Sequence, residues 1–220
     1  MAIGPQLKWI KSELESKFHL LVLFIISLLI SFFILKSLEL NFLVNTVLIG
    51  SAFYLFFITI KDFFSKKFKN IQQNLAHFGF SLLILSILFN NIFSSELITN
   101  LKVGESFKND RFEIVFNDLK KFDQKNYTSF QGHFFIKEND LKNELKPELR
   151  IYNQPNIITS EADIQTTLLS DKFITMNSVQ NKEYFNIRYQ HKPFMIWIWI
   201  SVLLISLGGL LSLFKKNYEK

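Results

Sequence analysis

Four long apolar runs divide the chain, at residues 18–35, 42–60, 75–93 and 194–214, and none of them contains Lys, Arg, Asp or Glu. Each is close to the roughly 20 residues a helix needs to cross the hydrocarbon core. The pattern predicts about four transmembrane helices. A signal peptide is the rival for the first run. Its length, the lack of a small-residue cleavage site and the second apolar run that follows at once favour a polytopic start. Between the third and fourth runs the period changes to two. Phe112, Ile114 and Phe116 flank Glu113 and Val115, Phe134 and Ile136 follow Gly132, Leu149 and Ile151 alternate with Arg150 and Tyr152, and Phe185, Ile187 and Tyr189 alternate with Asn186 and Arg188. Such alternation marks half-buried strands. Turn signals fall at Val103-Gly104, Asn109-Asp110, Gln131-Gly132, Lys146-Pro147 and Gln154-Pro155, and residues 161–169 read as a short helix capped by Ser160.

The expected architecture is therefore a polytopic α-helical membrane protein holding an inserted, extracytoplasmic β-rich domain, a small barrel or sandwich, over residues 94–191. Segment 1–17 precedes the first helix and 215–220 follows the last. Hydrophobic residues are 49% of the chain and charged ones 20%, a mixture that suits apolar blocks joined to an ordinary water-facing block. The net charge of +6 changes the picture through its distribution. Lys8, Lys11, Lys17, Lys61, Lys66, Lys67, Lys69, Lys215, Lys216 and Lys220 fall on one side of the expected topology, opposed only by Glu13, Glu15, Asp62 and Glu219. Segment 94–192 carries 14 basic and 14 acidic residues and is neutral. The excess of positive charge places both termini in the cytoplasm. Nucleic acid is not an expected partner, because no basic cluster lies on the β domain.

The chain has no cysteine, which excludes thiol catalysis, disulfides and covalent haem attachment through a CxxCH site. Phosphate-cradling Gly loops, GxSxG and HExxH are absent too. Paired carboxylates such as Asp118 and Asp123 read as a solvated surface. Four histidines remain. His19 opens the first helix and can snorkel to the interface, His133 reads as an exposed sheet residue, and His191 lies just outside the fourth helix. His77 sits about one turn inside the third apolar run, on a stripe with Asn74 and Ser81 and away from Phe78, Leu82 and Leu85. An ionisable residue there has to face protein, water or a metal. It is either hydrogen-bonded to a neighbouring helix or an axial ligand of haem iron. Trp197 and Trp199 read as an aromatic belt, and Gly50-Ser51 and Gly208-Gly209 as points of close helix approach.

Several short stretches, taken in order, resemble the C-terminal portion of the CcmF/NrfE family, the membrane subunit of cytochrome c haem lyase. They are Gly4-Pro5-Gln6-Leu7-Lys8-Trp9, Leu75-Ala76-His77-Phe78-Gly79, Leu101-Lys102-Val103-Gly104-Glu105, Asn126-Tyr127-Thr128 with Gly132-His133-Phe134, Pro147-Glu148-Leu149-Arg150-Ile151-Tyr152, Thr159-Ser160-Glu161-Ala162-Asp163-Ile164, and the ending from Ile187-Arg188-Tyr189 through Lys192-Pro193-Phe194, Trp197-Ile198-Trp199 and Leu207-Gly208-Gly209. The resemblance implies a part in cytochrome c maturation, helping haem transfer and attachment to apocytochrome c. It implies haem b as cofactor and His77, in the AHxG motif, as one axial ligand of the iron. It implies as partners the N-terminal half of the same family protein, a haem-carrier chaperone, apocytochrome c, other maturation subunits and membrane lipid. The setting implied is a bacterial inner membrane, with the β domain periplasmic, or its mitochondrial counterpart. The family's tryptophan-rich WWD segment, its two outer-face haem histidines and the partner of His77 have no counterpart in these 220 residues. The chain is then one piece of a split family member or a fragment beginning at an internal Met1. As a haem lyase component it is not expected to be competent alone. The alternative is a non-catalytic, membrane-anchored assembly or scaffold subunit.

Overall fold

A computed structural model describes residues 17–38, 42–64, 71–138, 141–179 and 183–215. The N-terminal segment to residue 16, the Lys66–Lys69 part of the basic loop and the tail after 215 lie outside the described residues. The chain forms two compact units, one of helices and one of strands.

The helical unit contains α1 (Lys17–Ser37), α2 (Phe42–Phe64), α3 (Ile71–Phe93) and α4 (Met195–Lys215). All four are long and apolar enough to cross a membrane. α2 runs past its apolar stretch to take in Lys61 and Asp62, and α3 starts before its own, taking in Gln72, Gln73 and Asn74. Packing between helices uses small and hydroxyl side chains. A Cβ on Gly50 would stand 2.6 Å from the Leu28 side chain, and the Ser31 hydroxyl donates to the Thr46 carbonyl of α2 at 2.9 Å. Rings of α2 meet those of α3 at Phe56–Phe78 (5.8 Å) and Phe53–Phe89 (5.7 Å).

The strand unit is a two-sheet sandwich. One sheet has the order β1-β10-β9-β8, from β1 (Ser95–Leu101), β10 (Phe185–Pro193), β9 (Ser170–Ser178) and β8 (Asp163–Thr166). The other has the order β2-β3-β4-β6-β7, from β2 (Ser106–Lys108), β3 (Glu113–Asp123), β4 (Tyr127–Glu138), β6 (Glu148–Asn153) and β7 (Asn156–Glu161), with β5 (Leu141–Leu145) pairing β4. The alternating residues fill the space between the sheets: Ile114, Phe116, Phe134, Ile136 and Leu149 from one, Ile174, Met176, Ile187 and Tyr189 from the other. Two separate sheets with one core between them resolve the barrel-or-sandwich alternative as a sandwich.

Two local expectations are corrected. Residues 161–169 are not a helix. Ser160 caps nothing, because its hydroxyl donates to the Met176 carbonyl at 2.7 Å, and Asp163 to Thr166 pair with β9. Sheet pairing overrides the local capping signal. Gln131-Gly132 is not a turn either, since β4 passes straight through it. A Cβ on Gly132 would lie 2.6 Å from the Phe134 ring and 3.0 Å from the Met176 sulfur. The glycine is there because the core leaves no room for a side chain. Gly104, by contrast, does occupy a turn, at φ +88°.

Candidate functional site

Asn74, His77 and Ser81 do not share one environment. The Asn74 amide donates to the Asp62 carbonyl of α2 at 3.2 Å. Ser81 is buried against Thr59, hydroxyl to hydroxyl, at 2.7 Å. Phe78, expected to lie away from this stripe, stacks on Phe56 between them. These three positions face α2. The opposite side of α3 faces α4 through glycines: a Cβ on Gly79 would lie 2.9 Å from Leu204 Cβ, and one on Gly208 2.7 Å from the Gln72 carbonyl and 2.8 Å from the Ala76 nitrogen.

His77 falls between the two packed sides and lines an open cleft of about 390 Å³ with Gln72, Gln73, Ala76, Gly208, Gly209 and Ser212. That volume is at the low end of small-molecule sites. No described residue hydrogen-bonds the His77 ring, while the Asp62 carboxyl of the neighbouring α2 is near enough to act on it electrostatically. Gly209 is open: nothing lies within 4 Å of where its Cβ would be. The Gly208-Gly209 pair therefore divides its work. Gly208 lets α3 and α4 touch and Gly209 leaves space beside His77. An imidazole in this position can give one nitrogen to a metal held in the cleft. No group of three His, Cys, Asp or Glu side chains able to hold a metal occurs among the described residues. His19 is exposed at the start of α1 and does not line the cleft. A single imidazole among Gln72, Gln73 and Ser212 does not by itself make a site for a bare ion; a group that brings its own donors would need only this one nitrogen.

The remaining histidines belong to the sandwich. His133 is not exposed: its side chain keeps 13% of its surface, and Nδ1 lies 3.0 Å from Glu144 Oε1. That contact, with Lys146, holds the Glu144 carboxyl below its usual range. His133 is covered because β5 returns alongside β4 and brings Glu144 against it. His191 pairs across the sheet with Lys172 and Ser95. Burial pushes its pKa down, against the pull of Glu138. Glu138 accepts from the Tyr189 hydroxyl at 3.0 Å and from Lys172 Nζ. Burial first, then Glu138, push the Tyr189 phenol far up, so it stays protonated and donates to that carboxylate. Of the surface carboxylates, Asp123 accepts from Thr128 and Lys121, and Asp118 lies 4.0 Å from Lys120. They form no acid–base pair.

Comparison with known proteins agrees with this division. The family model described as the CcmF C-terminal beta-sandwich matches residues 92–193. The cytochrome c-type biogenesis protein CcmF of Haemophilus influenzae is 31% identical over 146 residues, covering 66% of this chain and 22% of that protein. CcmF of Escherichia coli is 25% identical over 230 residues, covering all of this chain and 36% of its own length. NrfE of Haemophilus influenzae is 25% identical over 79% of this chain and 28% of its own length. A solved structure, Cytochrome c Heme Lyase CcmF, shares the fold with a TM-score of 0.70 at 18% identity, over 95% of this chain and 36% of that one. The chain thus spans little more than a third of the length of these relatives at most. Four membrane-length helices, a two-sheet sandwich inserted before the last of them, and sequence likeness extending through both units support reading the chain as a C-terminal portion of the CcmF family.

Proposed function

We propose that this chain serves cytochrome c maturation as the C-terminal part of a haem lyase membrane subunit, with His77 as one axial ligand of a b-type haem. The observation that carries this reading is the His77 ring itself, free of hydrogen bonds from described residues and turned to a cleft that Gly209 keeps open. A neutral imidazole is a strong donor to haem iron, and an ionisable residue in a membrane helix is expected to face protein, water or a metal. Gln72, Gln73 and Ser212 offer polar groups around the same cleft. Haem, when bound, supplies the electron chemistry, while the protein sets its position and potential. A second donor to the iron would come from a companion segment, since no other described histidine lines the cleft. The sandwich offers no acid–base pair of its own. Its role is to scaffold the haem-carrier chaperone, apocytochrome c and other maturation subunits on the periplasmic side (or in the intermembrane space), with both termini cytoplasmic (or in the matrix). The neutral charge balance of 94–192 against the basic excess elsewhere supports that orientation.

The test is co-purification of the full chain with its companion segment from membranes. The reduced b-type absorbance is expected to disappear in His77→Ala while expression and the sandwich fold persist. Unchanged haem content in that variant overturns the assignment and leaves a non-catalytic, membrane-anchored assembly subunit.

A further inference from the structure

The turn between β8 and β9 breaks the usual chemistry of hairpins. Two-residue connections favour Gly, Asn and Asp. Here the two positions are Leu168 and Leu169, 70% and 68% exposed. The turn is firmly closed beneath them. The Thr167 amide donates to the Ser170 carbonyl at 2.9 Å and the Thr167 hydroxyl to the same oxygen at 2.8 Å. The Ser170 amide donates back to Thr167 Oγ1 at 3.0 Å. Two leucines are thus held outward on a fixed frame, where water contact brings no gain.

The register says where this tip lies. Ser170 pairs with Pro193, Lys172 with His191, and His191 in turn with Ser95. Ser94 is the single residue between α3 and β1, and Phe194 the single residue between β10 and α4. A helix that crosses the bilayer delivers the chain to its surface, so Ser95 and Pro193 stand at the level where lipid begins. Paired antiparallel residues are about 4.5–5.5 Å apart. Leu169 and Leu168 lie one and two residues beyond Ser170, at that same end of the sheet. The headgroup layer on each side of the hydrocarbon core is on the order of 6 Å thick. The tip is therefore within its reach. The other exposed apolar pair of this unit, Ile157 and Ile158, is at the far end, where β7 pairs the Tyr152 end of β6.

We propose that Leu168 and Leu169 form a lipid-inserting tip, which anchors the sandwich to the surface of the bilayer that α3 and α4 cross. The bilayer is the occupant because the tethers bring it there without any partner.

The chain has no cysteine, so a single introduced thiol is a unique labelling site. The full chain carrying Leu169→Cys, and separately Leu168→Cys, is labelled with an environment-sensitive dye in vesicles of phosphatidylcholine and phosphatidylglycerol. Asn156→Cys, exposed at the far end of the sandwich, is the reference. Both tip labels are expected to emit blue-shifted from the reference and to be quenched several-fold more by lipid-borne nitroxides than by aqueous iodide. Tip labels as open to iodide as the reference overturn the proposal. Tip labels shielded from iodide but untouched by lipid nitroxides also overturn it, because they report a protein cover.

Discussion

In the sandwich the residues with no exposed surface are Ile114, Phe116, Phe134, Ile136, Ile174, Met176 and Ile187. In the helical unit they include Ser27, Ser31, Ser81 and Ser201 beside Leu35, while Phe18 is 73% and Leu43 86% exposed. The two units invert each other's distribution because their solvents differ. Water drives apolar area into the sandwich core. Lipid tails are as apolar as leucine, so helices gain nothing by hiding leucine and associate through close backbone approach and hydroxyl bonds instead. One substitution chemistry should therefore act unequally in the two units.

The largest effect is expected from truncating a core ring. Phe134 stacks on Phe116 with centroids 4.3 Å apart and has no exposed surface. Phe134→Ala should cost about 3–5 kcal/mol, read as loss of hydrogen-exchange protection across β3 and β4 in the reconstituted chain. Phe18→Ala, at a lipid-facing position, should leave helical protection almost unchanged. Equal losses at the two sites would mean that the helices, too, are held by apolar burial.

An added side chain should discriminate in the other unit. Gly208 meets backbone atoms of α3, which cannot rotate away. Gly208→Leu should separate α3 from α4 at a cost of about 1–3 kcal/mol, measured as weakened cross-linking between cysteines placed on the two helices. Gly209→Leu should leave cross-linking intact, since nothing lies within 4 Å of its Cβ position, yet should lower haem content by filling the space beside His77. Loss of cross-linking in Gly209→Leu would show that this glycine packs helices and does not shape the cleft.

The broad plan was open to reading in the residues because it rests on long-range averages. A run of apolar residues without charge has few fates but a membrane helix, and strict alternation over 112–116 or 185–189 has few but a half-buried strand. Individual positions were harder. Ser160 has the look of a helix cap until β9 claims its hydroxyl, and Gly132 the look of a turn until the Phe134 ring is folded over it. His133 reads as exposed because nothing local announces that β5 returns alongside β4. The α3 stripe failed for a different reason. Helical spacing places Asn74, His77 and Ser81 near one another, but two neighbouring helices divide that arc, and only packing decides which residue each receives. The AHxG resemblance singled out His77. The cleft and the openness of Gly209 depend on α4, which is over a hundred residues away in the chain.

The smallest effect concerns the hydroxyl pair that joins α2 to α3. Thr59 Oγ1 and Ser81 Oγ are 2.7 Å apart, and each is also within reach of its own helix, at the Phe56 and Phe78 carbonyls. Each hydroxyl has one proton. Either Thr59 or Ser81 donates across the interface, and the other turns its proton back to its own carbonyl. Removing one partner costs little, because the survivor keeps that intrahelical acceptor. A double-mutant cycle of Thr59→Val and Ser81→Ala should give a coupling of about 0.6 kcal/mol, the average for such bonds in membranes. Strict additivity would mean that both protons stay on their own helices and that close packing alone joins α2 to α3. A coupling several times larger would mean that the pair is cut off from every alternative acceptor, as a buried pair in a water-soluble core would be.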